Sequence, residues 1–406
     1  MAIDEMDNVI HIGGSEEVRR SNERMVAKRK RVRTSIVLII FILMVLVGVV
    51  LFVYLKMRSF NGIKVVSSAD TVYEANAEYL RFGKNLLRYT PDGVSYIDSN
   101  GDTVWTSGID YKVPIAETSG DYAIVADKGG NQVAVFNVEG QVSSVSMPYS
   151  ICDIDVAKQG AFAAILESNK TNYINMYDKN GNIIYEMQTS IDKSGYPMDI
   201  TVSNDGKKLF TSYFKLDGVN IKNNLTAYNF GTVGQNENAD RMVGGYSFEE
   251  EMIPKVEFIT NDIVAAFSDK EILLYNMKEK PSERGKAEYG TEISSIFYSE
   301  EYLGTIKSNP DSGSSADYIM TIYDNTGKKD FDYAFSMTYD KVYAAEDEVI
   351  ITGGNQCLIV QRNGRTKFSY TFDNMIKSMI PSSKSNEYIV TFENKTETIR
   401  LRTEDK

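Results

Sequence analysis

Apolar positions along this chain follow two regimes. Residues 36–55 are almost wholly apolar, from Ile36 through Phe41 and Leu46 to Leu55, with no charge and no proline. About 20 such residues at a rise of 1.5 Å each span a hydrocarbon core of roughly 30 Å, so this stretch predicts a transmembrane helix. From about residue 62 the apolar residues come in short runs rich in Val, Ile, Tyr, Phe and Thr, broken by Asn-Gly, Asp-Gly and Gly-Gly. That is the pattern of strands and hairpins, and no long amphipathic helix interrupts it.

The short runs repeat. One unit is a strand that ends in an Asn/Gly turn, as in Tyr96–Gly101, Val135–Gly140, Met176–Gly181, Ile322–Gly327 and Ile359–Gly364. Ahead of each lies a second unit: a short strand, a polar turn and a very apolar strand. It is clearest at Asp153–Gly160 and Asp199–Gly206, and recurs at Ile115–Val125, Val256–Ala266, Ile296–Ile306, Val342–Thr352 and Met379–Thr391. With a weaker copy near Phe82–Leu87, the spacing is about 40–50 residues, the period of a four-stranded propeller blade. The expected fold is all-β, an eight-bladed β-propeller after one N-terminal transmembrane helix. Seven blades with a separate N-terminal hairpin is the alternative. The last copy lacks an outer strand, which residues 62–67 are placed to supply, closing the ring.

Turn motifs carry a resemblance. Ser203-Asn-Asp-Gly-Lys-Lys-Leu-Phe210 resembles the turn of bacterial YVTN and TolB-type propellers, and Gly101-Asp-Thr-Val-Trp105 resembles a turn of quinoprotein-type eight-bladed propellers. The whole plan is similar to an uncharacterised bacterial family of membrane-anchored propellers. The resemblance implies a fold over residues 60–406 and no particular activity. Quinoprotein propellers carry Trp in most blades, whereas this chain has only Trp105, so no quinone or other cofactor is expected. The Gly-His and Trp-Asp pairs of WD40 repeats are absent.

Charge sets the topology. Lys28-Arg29-Lys30-Arg31-Val32-Arg33 precede the apolar stretch, and only Lys56 and Arg58 closely follow it. This bias places the N-terminus in the cytoplasm and the rest outside, as a single-pass signal anchor in the cell membrane. The expected domains are a disordered basic tail (1–34) with a short helix near Glu16–Lys30, the anchor (35–56), and an extracytoplasmic propeller (57–406). The tail to Arg33 holds eight Lys/Arg and six Asp/Glu, which leaves 36 basic and 50 acidic residues beyond it. A net charge near −14 outside argues against nucleic acid as a partner.

Candidate chemistry narrows by subtraction. The sole histidine is His11, so the outer part has no imidazole for a Ser-His or Cys-His nucleophile or for a metal. The two cysteines, Cys152 and Cys357, fall in opposite blades and do not form a disulfide framework. Asp98, Asn100 and Asp102 alternate as in a calcium loop, but the glycine is one place early and no bidentate Glu follows, so no metal site is expected. Asp153, Asp155, Asp199 and Glu257 fall in or beside innermost strands, where two carboxylates across the channel are placed for acid–base work on a sugar. The simpler reading is that inner strands line a wet channel. Insertions at Lys215–Asn224 and Ser308–Asp317 (strand b to c), and at Gly231–Tyr246 and Lys278–Gly290 (assigned between blades), gather long loops on one face. Tyr149, Tyr196, Asp217, Asn220, Tyr246 and Asp311 are its candidate binding residues. The expected role is a non-catalytic binding or scaffold propeller that contacts an envelope protein or glycan. A carboxylate-based glycan-acting enzyme, and a ligand sensor signalling to the tail, are the alternatives.

Overall fold

The computed structural model describes residues 14–56, 58–71, 74, 76–169, 171–192, 194–218, 220–290, 292–311 and 313–403; the side chains of 14–18, 27–35, 52–56 and Asp217 are outside the description. His11 therefore lies outside the described residues. The chain divides into two compact units, residues 1–58 and 59–406.

The first unit is one helix, α1 (Gly14–Lys56). The tail expected to be disordered is thus helical from Gly14, and the short helix expected near Glu16–Lys30 is the start of α1. Its run of Arg, Glu, Lys, Met and Ala has high helix propensity, and Arg19 pairs with Glu23 one turn on at 3.2 Å. The large apolar side chains described from Ile36 to Leu51 are all exposed. Among the described residues no helix is long and apolar enough to cross a membrane; the side chains of residues 52–55, which complete the expected span, lie outside them.

The second unit is eight four-stranded antiparallel sheets. Seven use consecutive strands: blade 1 (78–108), blade 2 (114–146), blade 3 (150–190), blade 4 (196–249), blade 5 (255–288), blade 6 (295–335) and blade 7 (341–371). Blade 8 joins Ser378–Pro381, Glu387–Thr391 and Lys395–Arg402 to Gly62–Asp70, the strand expected to close the ring. Gly62 pairs with Arg402 and Asp70 with Lys395, with a bulge between Val65 and Ser67. Phe60 adds a bridge to Phe368 of blade 7. The eight-bladed count holds, and the seven-bladed alternative does not.

We label the strands of each blade a to d in their order within the sheet, a being innermost. Strand b is covered on both sides by neighbouring blades, so it reads as an unbroken apolar run and not as an alternation. Phe162–Leu166 of blade 3 are all fully buried. The core is a set of clusters between successive blades; one joins Ile124 and Val135 of blade 2 to Phe162 and Leu166 of blade 3. Trp105 does the same work between blades 1 and 2. Its ring stacks on Phe136 at 5.4 Å, and its Nε1 donates to Val138 O at 3.1 Å.

The Asn/Gly turns share one chemistry. Asp98 Oδ1 accepts from the N–H groups of Asn100 and Asp102 at 2.8 and 3.0 Å. Asp178 and Asp324 repeat this pair of bonds, which explains their position in the repeat without a cation. Gly101 turns at φ +92°, where a Cβ would sit 2.9 Å from Thr396 O.

Antiparallel order gives the ring two distinct faces. Strand a-to-b and c-to-d turns emerge on one, and b-to-c turns and blade-to-blade connections emerge on the other. The expected gathering of all four insertions on one face is corrected here. Gly231–Tyr246 holds a short helix α2 (Thr232–Glu237) and the start of strand d of blade 4, Met242–Glu249. Lys278–Gly290 holds strand d of blade 5, Ser282–Glu288. Both are c-to-d connections, so they open on the a–b face. Their strand-like residues were assigned to a linker because strand d is exposed and polar on one side. Lys215–Asn224 is not a loop either: it is the tip of a hairpin between Lys208–Asp217 and Asn220–Asn229.

Candidate functional site

Two features stand out: the central channel and the b–c face. The channel is built by strands a. Pro114–Ser119 brings Glu117, Ser150–Val156 brings Asp153 and Asp155, Tyr196–Val202 brings Asp199, Lys255–Thr260 brings Lys255 and Glu257, and Ser295–Tyr298 brings Tyr298. Four successive blades thus contribute five carboxylates and one ammonium. A cavity of about 940 Å³ opens from this channel onto the a–b face, between Arg81, Lys158, Glu257, Tyr298, Glu300 and Lys341. Lys158 of blade 3 and Glu300 of blade 6 form an ion pair across its mouth.

The expected channel carboxylates are where the sequence placed them, but two have a structural task. Each of strands a in blades 3 and 4 carries a bulge, before Asp153 and before Asp199. Asp155 then reaches over to blade 4, where its Oδ2 accepts from Val202 N at 2.6 Å. One blade on, Asp199 Oδ2 accepts from Val256 N at 2.6 Å, and Lys255 Nζ approaches Asp199 Oδ1 at 3.4 Å. These carboxylates stitch the inner edge of one blade to the next. Glu257 accepts from the Tyr298 hydroxyl at 2.9 Å and lies 3.6 Å from Lys255.

Electrostatics follow from crowding. The Glu117 side chain is exposed to the channel, whose surrounding strands hold it away from bulk solvent. Burial, helped by Asp155, Glu257 and Asp153 and opposed by Lys255, pushes its carboxyl up to about 8. Burial, then Glu257, pushes Asp155 up to about 7. Burial also raises Asp199 and Glu257. Desolvation opposes the charge on Lys255, but Glu257 and Asp199 outweigh it and hold the ammonium well above its ordinary value. Among the described residues no group of three or more His, Cys, Asp or Glu is placed to hold a metal ion.

The six expected binding residues lie at or near the b–c face but do not converge. Tyr149 stacks on Tyr173 at 4.5 Å within blade 3's border. Tyr196 sits by Cys152 and Glu167, its hydroxyl 3.8 Å from Cys152 Sγ. Tyr246 packs on Tyr275 of blade 5 at 4.6 Å. Asn220 and Asp311 are exposed at separate turns, and the Asp217 side chain lies outside the described residues. Both cysteines are free thiols.

What marks this face is apolar exposure. Val113, Ile191, Leu216, Ile221, Met252 and Met375 are exposed, Leu216 at 64%, and all belong to b-to-c hairpins or blade-to-blade connections. The other face is not free of it: Ile183 and Met242, the first residues of strand d in blades 3 and 4, are exposed at the c-to-d end. Sequence reasoning missed Glu117, Lys255 and Tyr298, although Glu117 and Tyr298 stand in the repeat unit that flagged Asp153 and Asp199, and Lys255 immediately precedes another copy. The apolar tips had no signal before the strand ends were known.

The family of unknown function DUF5711 matches residues 56–401. The chain belongs to this family. The DUF5711 match covers the propeller and begins at the last residue of α1. No curated protein matches the sequence. Among solved structures, Sqt1 of Chaetomium thermophilum, bound to the N-terminus of ribosomal protein L10, is similar with a TM-score of 0.54 and 10% identity, covering 84% of this chain and 100% of that one. BamB from Moraxella catarrhalis is similar with a TM-score of 0.51 and 11% identity, again covering 84% and 100%. At such identities the likeness shows the propeller fold alone.

Proposed function

We propose that this DUF5711 protein is a non-catalytic binding propeller, held in the cell membrane by residues 36–55, that presents its b–c face to an envelope protein or glycan. The observation that carries this reading is the concentration of exposed apolar residues at that face, with Leu216 and Ile221 at a hairpin tip and Val113, Ile191, Met252 and Met375 in blade-to-blade connections, since exposed apolar patches mark interaction sites. Ser59 Oγ donates to Thr366 O and Asn61 N to Arg402 O, so the chain enters the ring at the a–b end of blade 8. The exposed apolar side chains of α1 and the Lys/Arg run before them support an anchor with the N-terminus in the cytoplasm.

The test is capture from envelope extract with the full chain and with a Leu216→Asp/Ile221→Asp variant. A partner bound stoichiometrically by the first and lost from the second, at unchanged melting temperature, supports the reading. Equal retention by both removes the b–c face from the function.

A further inference from the structure

The boundary between blades 3 and 4 is bridged, as others are, by one side chain, the Tyr185 hydroxyl donating to Asp240 O at 2.7 Å, yet a groove stays open beside it. Between blades 1 and 2 the outer gap is filled by Trp105 and by a Ser107–Gln141 hydrogen bond of 2.7 Å. Between blades 6 and 7 the Tyr333 hydroxyl reaches Thr366 Oγ1 at 2.7 Å. Between blades 3 and 4 a groove of about 660 Å³ stays open. Its cause is local. In strand c of blade 4, Leu225 and Ala227 pack toward blade 5, so the alternation turns Asn224, Thr226 and Tyr228 toward blade 3. Their cross-strand partners on the same side include Gly245 and Ser247, which are too small to fill the space.

Tyr185 and Met187 of blade 3 form one wall; Asn224, Thr226 and Ser247 form the other. Tyr213 and Tyr228 make the floor. Both are nearly fully buried, and their hydroxyls stand 3.4 Å apart, a weak mutual bond that uses the O–H of one phenol and leaves the O–H of the other as a donor. Among the described residues no Lys or Arg lines the groove. Of its two acidic residues, Glu186 is met by Asn175 Nδ2 at 3.4 Å, and Asp240 accepts from Met242 N at 3.3 Å. Aromatic surface, hydroxyls and a carboxamide, without a free cation, make up the chemistry that recognises a neutral polyol.

We propose that the groove between blades 3 and 4 is a binding site for a neutral saccharide unit. The site is independent of the b–c face reading and stands or falls separately.

The test is calorimetric titration of the full chain, in a detergent without a sugar head group, with the neutral N-acetylglucosamine tetramer, maltotetraose and an anionic galacturonate trimer. Saturable binding of at least one neutral probe is expected, weakened tenfold or more by Asn224→Ala and by Ser247→Leu, with no binding of the anionic trimer. Ser247 is solvent-facing, so Ser247→Leu fills the groove without loading the core. Saturation by neither neutral probe overturns the proposal. So does binding unchanged in both variants, or equal affinity for the anionic trimer.

Discussion

At the scale of single residues, the channel carboxylates are governed by two opposed demands. Asp199 is buried and satisfied by Val256 N and Lys255, so Asp199→Ala strands Val256 N and leaves Lys255 with Glu257 alone. We expect a loss of about 2–3 kcal/mol, read by urea denaturation. Glu117 lacks such a bond among the described contacts and is crowded by like charge. Its folded pKa of about 8, and that of Asp155 near 7, lie above the ordinary carboxylate value. A raised carboxyl contributes stability that is complete below the ordinary value and is lost as pH rises through the folded value. The melting temperature should therefore fall between pH 4.5 and 8, and Glu117→Gln should flatten that fall and stabilise the ring at pH 8. A melting profile that Glu117→Gln leaves unchanged would remove this residue from the cluster's electrostatics. The positions of Asp155 and Asp199 were legible in the sequence, because a repeat locates its innermost strand. Their partners were not, since a bond from one blade to the next depends on where each bulge falls.

At the scale of elements, strand b announced itself and strand d did not. Buried on both sides, strand b reads as an uninterrupted apolar run. Strand d borders solvent, and in blades 4 and 5 it reads Met-Val-Gly-Gly-Tyr-Ser-Phe-Glu and Ser-Glu-Arg-Gly-Lys-Ala-Glu, close to what a linker contains. The same exposure that hid these strands reversed the face assigned to two insertions. The closing strand was legible because the last blade was one strand short. A chain beginning at Thr71 should melt below one beginning at Ser59 and should associate through the bare edge of Lys395–Arg402. Equal melting and a monomeric state for both would show that Gly62–Asp70 adds nothing to closure.

At the scale of the molecule, the fold is written in the sequence many times over, and the binding chemistry once. Eight copies of a unit average out local ambiguity, whereas the groove depends on one pair, Gly245 and Ser247, facing one blade. Replacing residues 36–55 by an unrelated 20-residue apolar span should keep the protein in the membrane fraction, and deleting them should release the propeller in soluble form. Retention of the deleted form would assign attachment to another surface.

Gly62 and Arg402 are partners separated by about 340 residues. At a synthesis rate of roughly 5–20 residues per second, the first strand of the ring waits on the order of 20–70 s for the strand it will pair with. During that interval an extended edge, next to the apolar stretch, stands open to pairing with other chains. The ring therefore has a clock as well as a seam. A ribosome that stops short of Lys395 leaves the edge open permanently, and such products should be the first that proteolysis removes.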